Sequence, residues 1–202
     1  MLNEDTALIV IDVQNDFCTG GALAVPDGEA VVPLINAMLP DYGVRVFTQD
    51  WHPSDHSSFA SQHSGKQPFE TVSMDYGTQV LWPDHCVQGT HGAAFHADLL
   101  TDPADLIIRK GFRKSIDSYS AFFENDQQTP TGLMGYLRTR NVQKVTLAGL
   151  ATDFCVAYSA LDAARLGFEV TVDLRACRAI DLDGSLTSAL SDLAQNSVRV
   201  VT

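Results

Sequence analysis

The sequence predicts a doubly wound α/β fold, with a mostly parallel six-stranded sheet and helices on both faces. Six β-rich runs alternate with amphipathic patterns along the chain, which is the order expected of βαβ units. Several of these runs are almost continuously apolar, as expected when helices cover both faces of a parallel sheet. With 202 residues, the chain suits one domain, which we expect to span 1–202.

The predicted strands are short runs rich in β-branched residues. In order, they are TALIVID (6–12), VRVFTQD (44–50), DLIIRK (105–110), KVTLAGL (144–150), FEVTVDL (168–174) and VRVV (198–201). Between them, apolar residues recur at the spacing of one helix face. The predicted helices are GEAVVPLINAMLP (28–40), GLMGYLRTR (132–140), DFCVAYSALDAARL (153–166) and GSLTSALSDLAQN (184–196).

Residues 51–104 interrupt the alternation of predicted strands and helices, and they contain all the histidines and both tryptophans of the chain. A segment this long, with so many chemically active side chains, indicates a functional excursion from the domain rather than a linker. We therefore expect it to contribute to metal and substrate binding.

Composition narrows the classes of partner and compartment. The net charge of −12 disfavours nucleic acid and anionic membranes as partners, because both require basic patches. The first residues do not resemble a signal peptide, and no apolar run has the length of a membrane span. The four cysteines are widely spaced and form no CxxC pair, so we expect free thiols and a cytoplasmic protein. The acidic charge favours a small molecule as the substrate.

Polar residues follow several of the predicted strands, where ligands bind in open parallel sheets. The first strand ends in Asp12, the second in Asp50 and the third in Lys110, while the fourth leads towards Cys155. A single charged residue at a strand end is usually part of a turn. Four groups of complementary chemistry indicate a functional site at this edge, provided that the strands are neighbours.

Cys155 follows a strand and opens a predicted helix, with Thr152 or Asp153 as a plausible N-cap. Unpaired N–H groups in a first helical turn lower the pKa of a thiol, so we interpret Cys155 as a nucleophile rather than a packing residue. Asp12 is a candidate for accepting its proton and Lys110 for stabilising the thiolate. A structural Asp–Lys ion pair is the alternative interpretation of those two residues.

A second cluster comprises Asp50, His52 and His85, with His56 or His63 as possible additions. Carboxylate oxygen and imidazole nitrogen suit zinc, iron or manganese. The D-x-H spacing is a weak signal by itself, and a distant third ligand cannot be inferred from spacing. Apart from that alternative for His63, His63, His91 and His96 are interpreted as surface residues.

Five motifs in register resemble the nicotinamidases of the isochorismatase-like cysteine hydrolase superfamily. The motifs are IDVQNDF (11–17), DWHPSDHSSFASQH (50–63), WPDHCVQGTHGAAFH (82–96), RKGFRKSIDSYSAFF (109–123) and GLATDFCV (149–156). The resemblance implies hydrolysis of nicotinamide to nicotinate and ammonia through a cysteine thioester, in NAD salvage, with pyrazinamide as a second substrate. It leaves the oligomeric state open, since members range from monomers to tetramers.

The resemblance also assigns residues by position. It implies Asp12, Lys110 and Cys155 as the catalytic residues, Asp50, His52 and His85 as ligands of one divalent metal ion, and Phe17 and Trp82 as walls of the substrate pocket. It further implies a cis peptide bond before Ala151 and an oxyanion hole formed by the N–H groups of Ala151 and Cys155. Zinc, iron and manganese all occur in the family, and His56 is left open as a ligand, a neighbour of the ligands or neither.

Three other functions remain compatible with the residues. A related hydrolase could act on N-carbamoyl or ureide substrates, although such members generally lack the metal set. A non-catalytic binding module is disfavoured, because the first strand-to-helix turn lacks GxGxxG and all three catalytic candidates are present. In a purely metal-dependent hydrolase, Cys155 would be structural.

Overall fold

The computed structural model describes residues 3–202 and confirms the predicted α/β fold. Six strands form one sheet in the order β5-β2-β1-β6-β7-β8, and all five neighbouring pairs are parallel. The strands are β1 (Asn3–Ile11), β2 (Tyr42–Asp50), β5 (Leu106–Lys110), β6 (Lys144–Leu150), β7 (Glu169–Arg178) and β8 (Arg199–Val201). A separate antiparallel hairpin, β3 (Thr71–Met74) with β4 (Gly77–Val80), lies within the 51–104 segment and was not predicted.

Four helices pack against the two faces of the sheet, as predicted. They are α1 (Val31–Met38), α2 (Leu133–Thr139), α3 (Ala157–Arg165) and α4 (Ser185–Gln195). Alternate residues of β1 point into two different cores. Ile9 packs on the side that contains residues of α2, α3 and α4, and Val10 packs on the side that contains residues of α1. In the described part of the chain, no helix is long and apolar enough to span a membrane.

Two predicted boundaries were wrong for reasons of backbone geometry. The first strand ends at Ile11 rather than Asp12, because Asp12 adopts a φ of +48° and turns the chain out of the sheet. The first helix covers only Val31–Met38 of the predicted 28–40, because short 3₁₀ turns replace both ends and Pro40 lies in the second of them. The start of β1 and the ends of β2, β5, β6, β8, α2 and α4 differ from the prediction by at most three residues, whereas β7 extends to Arg178.

The predicted N-cap at Thr152 or Asp153 was also wrong. Residues Thr152–Val156 form a π-helical turn that begins after Ala151, and the regular helix starts only at Ala157. The Asp153 carboxylate accepts hydrogen bonds from the backbone N–H groups of Ile180 (3.1 Å) and Asp181 (2.7 Å), and from the Ser185 hydroxyl (2.5 Å). Asp153 therefore ties the turn after β6 to the turn after β7.

This tie predicts a measurable loss of stability when it is removed. In Asp153→Ala, two buried or partly buried N–H groups lose their acceptor, so we expect the free energy of unfolding to fall by about 1–3 kcal/mol. Chemical denaturation followed by circular dichroism measures the change. Asp102→Ala, at an exposed position, serves as the control and should shift the value by less than about 0.5 kcal/mol. Equal losses in both variants would contradict this role of Asp153.

Candidate active site

The carboxyl ends of the central strands bring four buried side chains together. β5, β2, β1 and β6 are consecutive in the sheet, and they deliver Lys110, Asp50, Asp12 and, through the π turn, Cys155 to one edge. Each of these residues is at most 7 % exposed. The neighbouring strand order is what allows residues far apart in sequence to meet.

The Lys110 ammonium is the centre of this cluster. Its Nζ atom lies 2.5 Å from Asp50 Oδ1 and 2.8 Å from Asp12 Oδ2, and it donates a hydrogen bond to the Ser118 carbonyl oxygen (2.9 Å). Nζ is also 3.4 Å from the Cys155 Sγ atom. One cation therefore contacts both carboxylates and the thiol.

Asp12 is held in place by Thr48 on the adjacent strand. The Thr48 hydroxyl donates to Asp12 Oδ1 (2.6 Å) and accepts from the Asp12 backbone N–H (3.1 Å). The other carboxylate oxygen, Oδ2, is buried, and no donor among residues 3–202 reaches it with hydrogen-bond geometry, although Lys110 pairs with it by charge. Asp12 Oδ2 is therefore able to accept a proton from a neighbouring group.

Burial controls the protonation of this cluster. It raises the pKa of Asp12 to about 6, against the opposing effect of the Lys110 charge. It also raises the pKa of the Cys155 thiol well above its ordinary value, and the Lys110 charge only partly offsets this effect. The pKa of Lys110 itself is raised, because the two carboxylates outweigh the cost of burying its charge.

The expected lowering of the Cys155 pKa is therefore wrong for the resting protein. The thiol is buried beside Asp12 and Asp50, whose negative charges disfavour a thiolate. The thiol keeps its proton until a partner accepts it, and Asp12 has a pKa close to neutral pH and lies in the same cluster.

Asp50, His52 and His85 form a buried trio whose nitrogen and oxygen atoms converge. Asp50 Oδ2 lies 3.6 Å from His52 Nε2 and 3.8 Å from His85 Nε2. The Nδ1 atom of His52 is 2.8 Å from the Gly111 carbonyl oxygen, and that of His85 is 2.8 Å from the Pro83 carbonyl oxygen. Since a carbonyl only accepts, each Nδ1 carries the proton and each Nε2 lone pair faces the trio.

This arrangement fits a divalent metal ion. Ligating histidines commonly donate their second ring N–H to a backbone carbonyl, which orients the ring towards the metal. Burial lowers the pKa of His85 to about 4, which keeps that ring neutral. Burial also lowers the pKa of His52, but the Asp50 carboxylate, with smaller contributions from Asp117 and the Gly111 carbonyl, outweighs burial and raises that pKa overall. On Asp50, burial raises the pKa, but the Lys110 charge together with His52 and His85 outweighs burial and holds the pKa well below its usual range.

His56 lies beside the trio but directs its nitrogens elsewhere. Its ring centroid is 4.4 Å from that of His52. Its Nδ1 accepts the Ser58 backbone N–H (3.2 Å) and is 2.7 Å from the Ser58 hydroxyl, while its Nε2 is 3.1 Å from the Ile116 carbonyl oxygen. Both ring nitrogens thus contact protein groups in this structure, and ligand atoms of His52, His56 and Asp117 lie within 4.8 Å of one another.

The remaining histidines and cysteines lie outside the cluster. His63 is half-buried, with its Nε2 atom 2.7 Å from the Ser57 carbonyl oxygen. His91 is exposed and His96 is half-buried. All four cysteines are buried free thiols, Cys18, Cys86 and Cys177 as well as Cys155.

A pocket opens between the trio of Asp50, His52 and His85 and the Cys155 thiol. Phe17 and Trp82 line it, and so do side chains that sequence reasoning missed: Leu23, Asp117, Tyr119, Phe154 and Ile180. The Tyr119 hydroxyl accepts a hydrogen bond from the Trp82 indole N–H (3.2 Å), and the Phe154 ring packs edge-on to Trp82 with centroids 4.9 Å apart. Phe154 and Tyr119 lay within the motifs at 149–156 and 109–123, which was the only signal for them.

The pocket also contains the start of the π turn. The peptide bond between Leu150 and Ala151 is cis, as the resemblance implies. Ala151 and Cys155 both line the pocket. The backbone N–H groups assigned to an oxyanion hole therefore belong to residues on the same wall as the thiol.

Comparison with known protein sequences agrees with this geometry. The Isochorismatase domain pattern matches residues 6–202. A nicotinamidase of Acinetobacter baylyi is 52 % identical over 193 residues, covering 96 % of this chain and 90 % of the relative. A nicotinamidase of Escherichia coli is 42 % identical over 180 residues, covering 87 % and 84 % of the two chains.

Solved structures show the same fold along the whole chain. A nicotinamidase/pyrazinamidase from Acinetobacter baumanii superposes with a TM-score of 0.98 at 53 % identity, covering 100 % of this chain and 98 % of the other. The PnC1 protein of L. infantum, in complex with nicotinate, gives 0.86 at 37 % identity, covering 100 % and 95 %. The pyrazinamidase of Pyrococcus horikoshii, in complex with zinc, gives 0.79 at 34 % identity, covering 98 % and 99 %. Taken together, the matched domain pattern, the sequence relatives and the fold establish that this chain belongs to the isochorismatase family.

Proposed function

We propose that this protein is a nicotinamidase, which hydrolyses nicotinamide to nicotinate and ammonia through a thioester on Cys155 and thereby serves NAD salvage. The observation that carries the proposal is the contact of one buried ammonium, Lys110, with Asp12, Asp50 and Cys155 beside an aromatic pocket. The nicotinamidase names of the relatives and the nicotinate bound to a structural neighbour support the choice of substrate. Pyrazinamide, which keeps a ring nitrogen in the same position relative to the amide, is the proposed second substrate.

The pocket suits a flat, neutral aromatic amide. Phe17 and Trp82 supply apolar ring faces and edges, and Tyr119 anchors the Trp82 indole. Asp50, His52 and His85 would hold the metal ion, which would bind the pyridine nitrogen and so orient the ring. We propose zinc as the ion, because the carboxylate and two imidazoles suit it and a related pyrazinamidase was solved with zinc.

Asp12 acts first as a general base and then as a general acid. It accepts the thiol proton on Oδ2 while the Cys155 sulfur forms a bond to the amide carbon. Lys110 stabilises the negative charge on the sulfur and keeps the Asp12 carboxylate oriented. When the C–N bond breaks, protonated Asp12 gives its proton to the leaving nitrogen, which departs as ammonia and leaves a thioester.

The backbone N–H groups of Ala151 and Cys155 receive the carbonyl oxygen as it gains negative charge. A single oxyanion-hole donor is typically worth about 3 kcal/mol of barrier. Water then attacks the thioester carbon, Asp12 accepts a proton from that water, and the carbon–sulfur bond breaks. Proton return to the sulfur regenerates the thiol, and nicotinate is released.

We also propose a cytoplasmic location. The four buried cysteines form no disulfides, and a reducing compartment would protect the reactive Cys155 thiol from oxidation.

Replacing Cys155 tests the nucleophile. We expect Cys155→Ala to lower kcat for ammonia release from nicotinamide by about 10⁴- to 10⁶-fold, because no thioester can form. An enzyme-coupled ammonia assay measures the loss. Cys177→Ala removes another buried thiol outside the pocket and should retain activity within a few-fold of wild type. Near-wild-type turnover by Cys155→Ala would assign catalysis to the metal site alone.

Replacing Asp12 tests the proton acceptor. Asp12→Asn keeps the size of the side chain and can still accept the Thr48 hydrogen bond, but it cannot take the thiol proton. We expect kcat to fall by about 10²- to 10⁴-fold while metal content stays unchanged. Thr48→Val is the control, because it removes the bond to Oδ1 but leaves the carboxylate, and its loss should be much smaller. If the two variants were equally impaired, the carboxylate would not be the base.

Replacing His85 tests the metal site. We expect His85→Ala to lower the metal content of the purified protein and to raise KM for nicotinamide about tenfold or more, equivalent to about 1.4 kcal/mol of binding. Atomic emission and steady-state kinetics measure the two quantities. His63→Ala is the matched control, because His63 lies outside the trio and contacts a backbone carbonyl. Full metal content in His85→Ala would remove His85 from the ligand set.

A further inference from the structure

The Gln14 side chain, which the mechanism above does not use, makes an unusual set of contacts with the main chain. It is fully buried. Its Oε1 accepts the backbone N–H of Asp50 (2.8 Å), and its Nε2 donates to the backbone carbonyl of Asp50 (2.8 Å) and to that of Ala93 (2.9 Å). One amide group thus satisfies both main-chain polar groups of Asp50.

The path of β1 explains why Asp50 needs this partner. The β1–β2 pairing extends to Val10 and Phe47, and Asp12 then turns the chain away with its positive φ. On the other side of β2, the ladder continues, since Trp51 N–H donates to the Lys110 carbonyl (2.9 Å). Without Gln14, the N–H and C=O of Asp50 would face the space that β1 has left, and buried polar groups without partners are costly. The Gln14 amide takes the place of the missing strand.

The position of Asp50 matters because its carboxylate serves two groups at once. Oδ1 pairs with Lys110, and Oδ2 faces the Nε2 atoms of His52 and His85. A small rotation of the Asp50 backbone would move Oδ2 away from the two imidazoles. We propose that Gln14 is a positioning residue for metal binding, which fixes the Asp50 backbone and so sets the geometry of the metal-ligand trio; this rests on the metal site of the proposed function.

A neutral amide is the group that fits this position. Glutamate has the same length and can accept from Asp50 N–H, but its carboxylate would face the carbonyl oxygens of Asp50 and Ala93. Methionine fills the same volume and makes neither kind of bond. Both substitutions therefore test the hydrogen bonds with little change in side-chain size.

Cobalt(II) binding to the metal-stripped, full-length protein provides a test that does not depend on turnover. We expect Gln14→Met to weaken cobalt(II) affinity about 10- to 100-fold, as is typical when an outer partner of a ligand is lost, and to change the visible absorption of the bound ion. Titration in competition with a chromophoric chelator gives the affinity. Gln14→Glu should weaken binding in the same direction and serves as the test if Gln14→Met fails to fold.

Gln49→Met is the matched control. The Gln49 Nε2 also donates to the Ala93 carbonyl (2.8 Å) from a buried position, but Gln49 makes no hydrogen bond to Asp50 in the described part of the chain. The Gln49→Met variant should therefore bind cobalt(II) with an affinity within about twofold of wild type and show an unchanged visible spectrum. Wild-type affinity and spectrum in the folded Gln14 variants, or equal losses in Gln49→Met, would overturn this role of Gln14. Failure of the wild-type protein to bind cobalt(II) would instead overturn the proposed metal site.

Discussion

The buried ammonium of Lys110 is the interaction on which the rest of the site depends. Asp12 and Asp50 both pair with it, and neither carboxylate could remain ionised in a dry interior without a nearby positive charge. Removing one member of such a buried pair typically costs about 3–5 kcal/mol. Lys110 also links the two parts of the proposed site, because it contacts Asp12 and Cys155 as well as Asp50, the proposed metal ligand.

The order of the sheet makes this contact possible. Lys110 and Asp50 are register partners across β5 and β2, and β1 lies next to β2. β2 and β5 end at these two residues, and Asp12 follows the last residue of β1. The 51–104 segment then covers this edge and supplies His52, His85 and Trp82, which the strands themselves could not place there.

Strand periodicity and strand ends were sufficient to predict the fold and the convergence of Asp12, Asp50 and Lys110, because these features follow from local sequence and the geometry of parallel sheets.

Features that depend on distant partners were not predictable in this way. Aspartate is a residue type that commonly caps helix N-termini, but the hydrogen-bond partners of Asp153 lie near residue 180. The Cys155 pKa depends on burial, which no short motif reports. The hydrogen bonds of His56 to residues 58 and 116, and those of Gln14 to residues 50 and 93, likewise required the assembled structure.

The proposed mechanism requires that the amide carbon of nicotinamide becomes bonded to the Cys155 sulfur during turnover. Rapid mixing of the metal-replete protein with nicotinamide, followed by acid quenching and mass spectrometry of the proteolysed enzyme, tests this directly. We expect a transient nicotinoyl group on the peptide that contains Cys155, formed before nicotinate accumulates and lost as nicotinate is released. Steady release of nicotinate with no acylated peptide at any time, under conditions that preserve a synthetic Cys155 thioester, would rule out this intermediate.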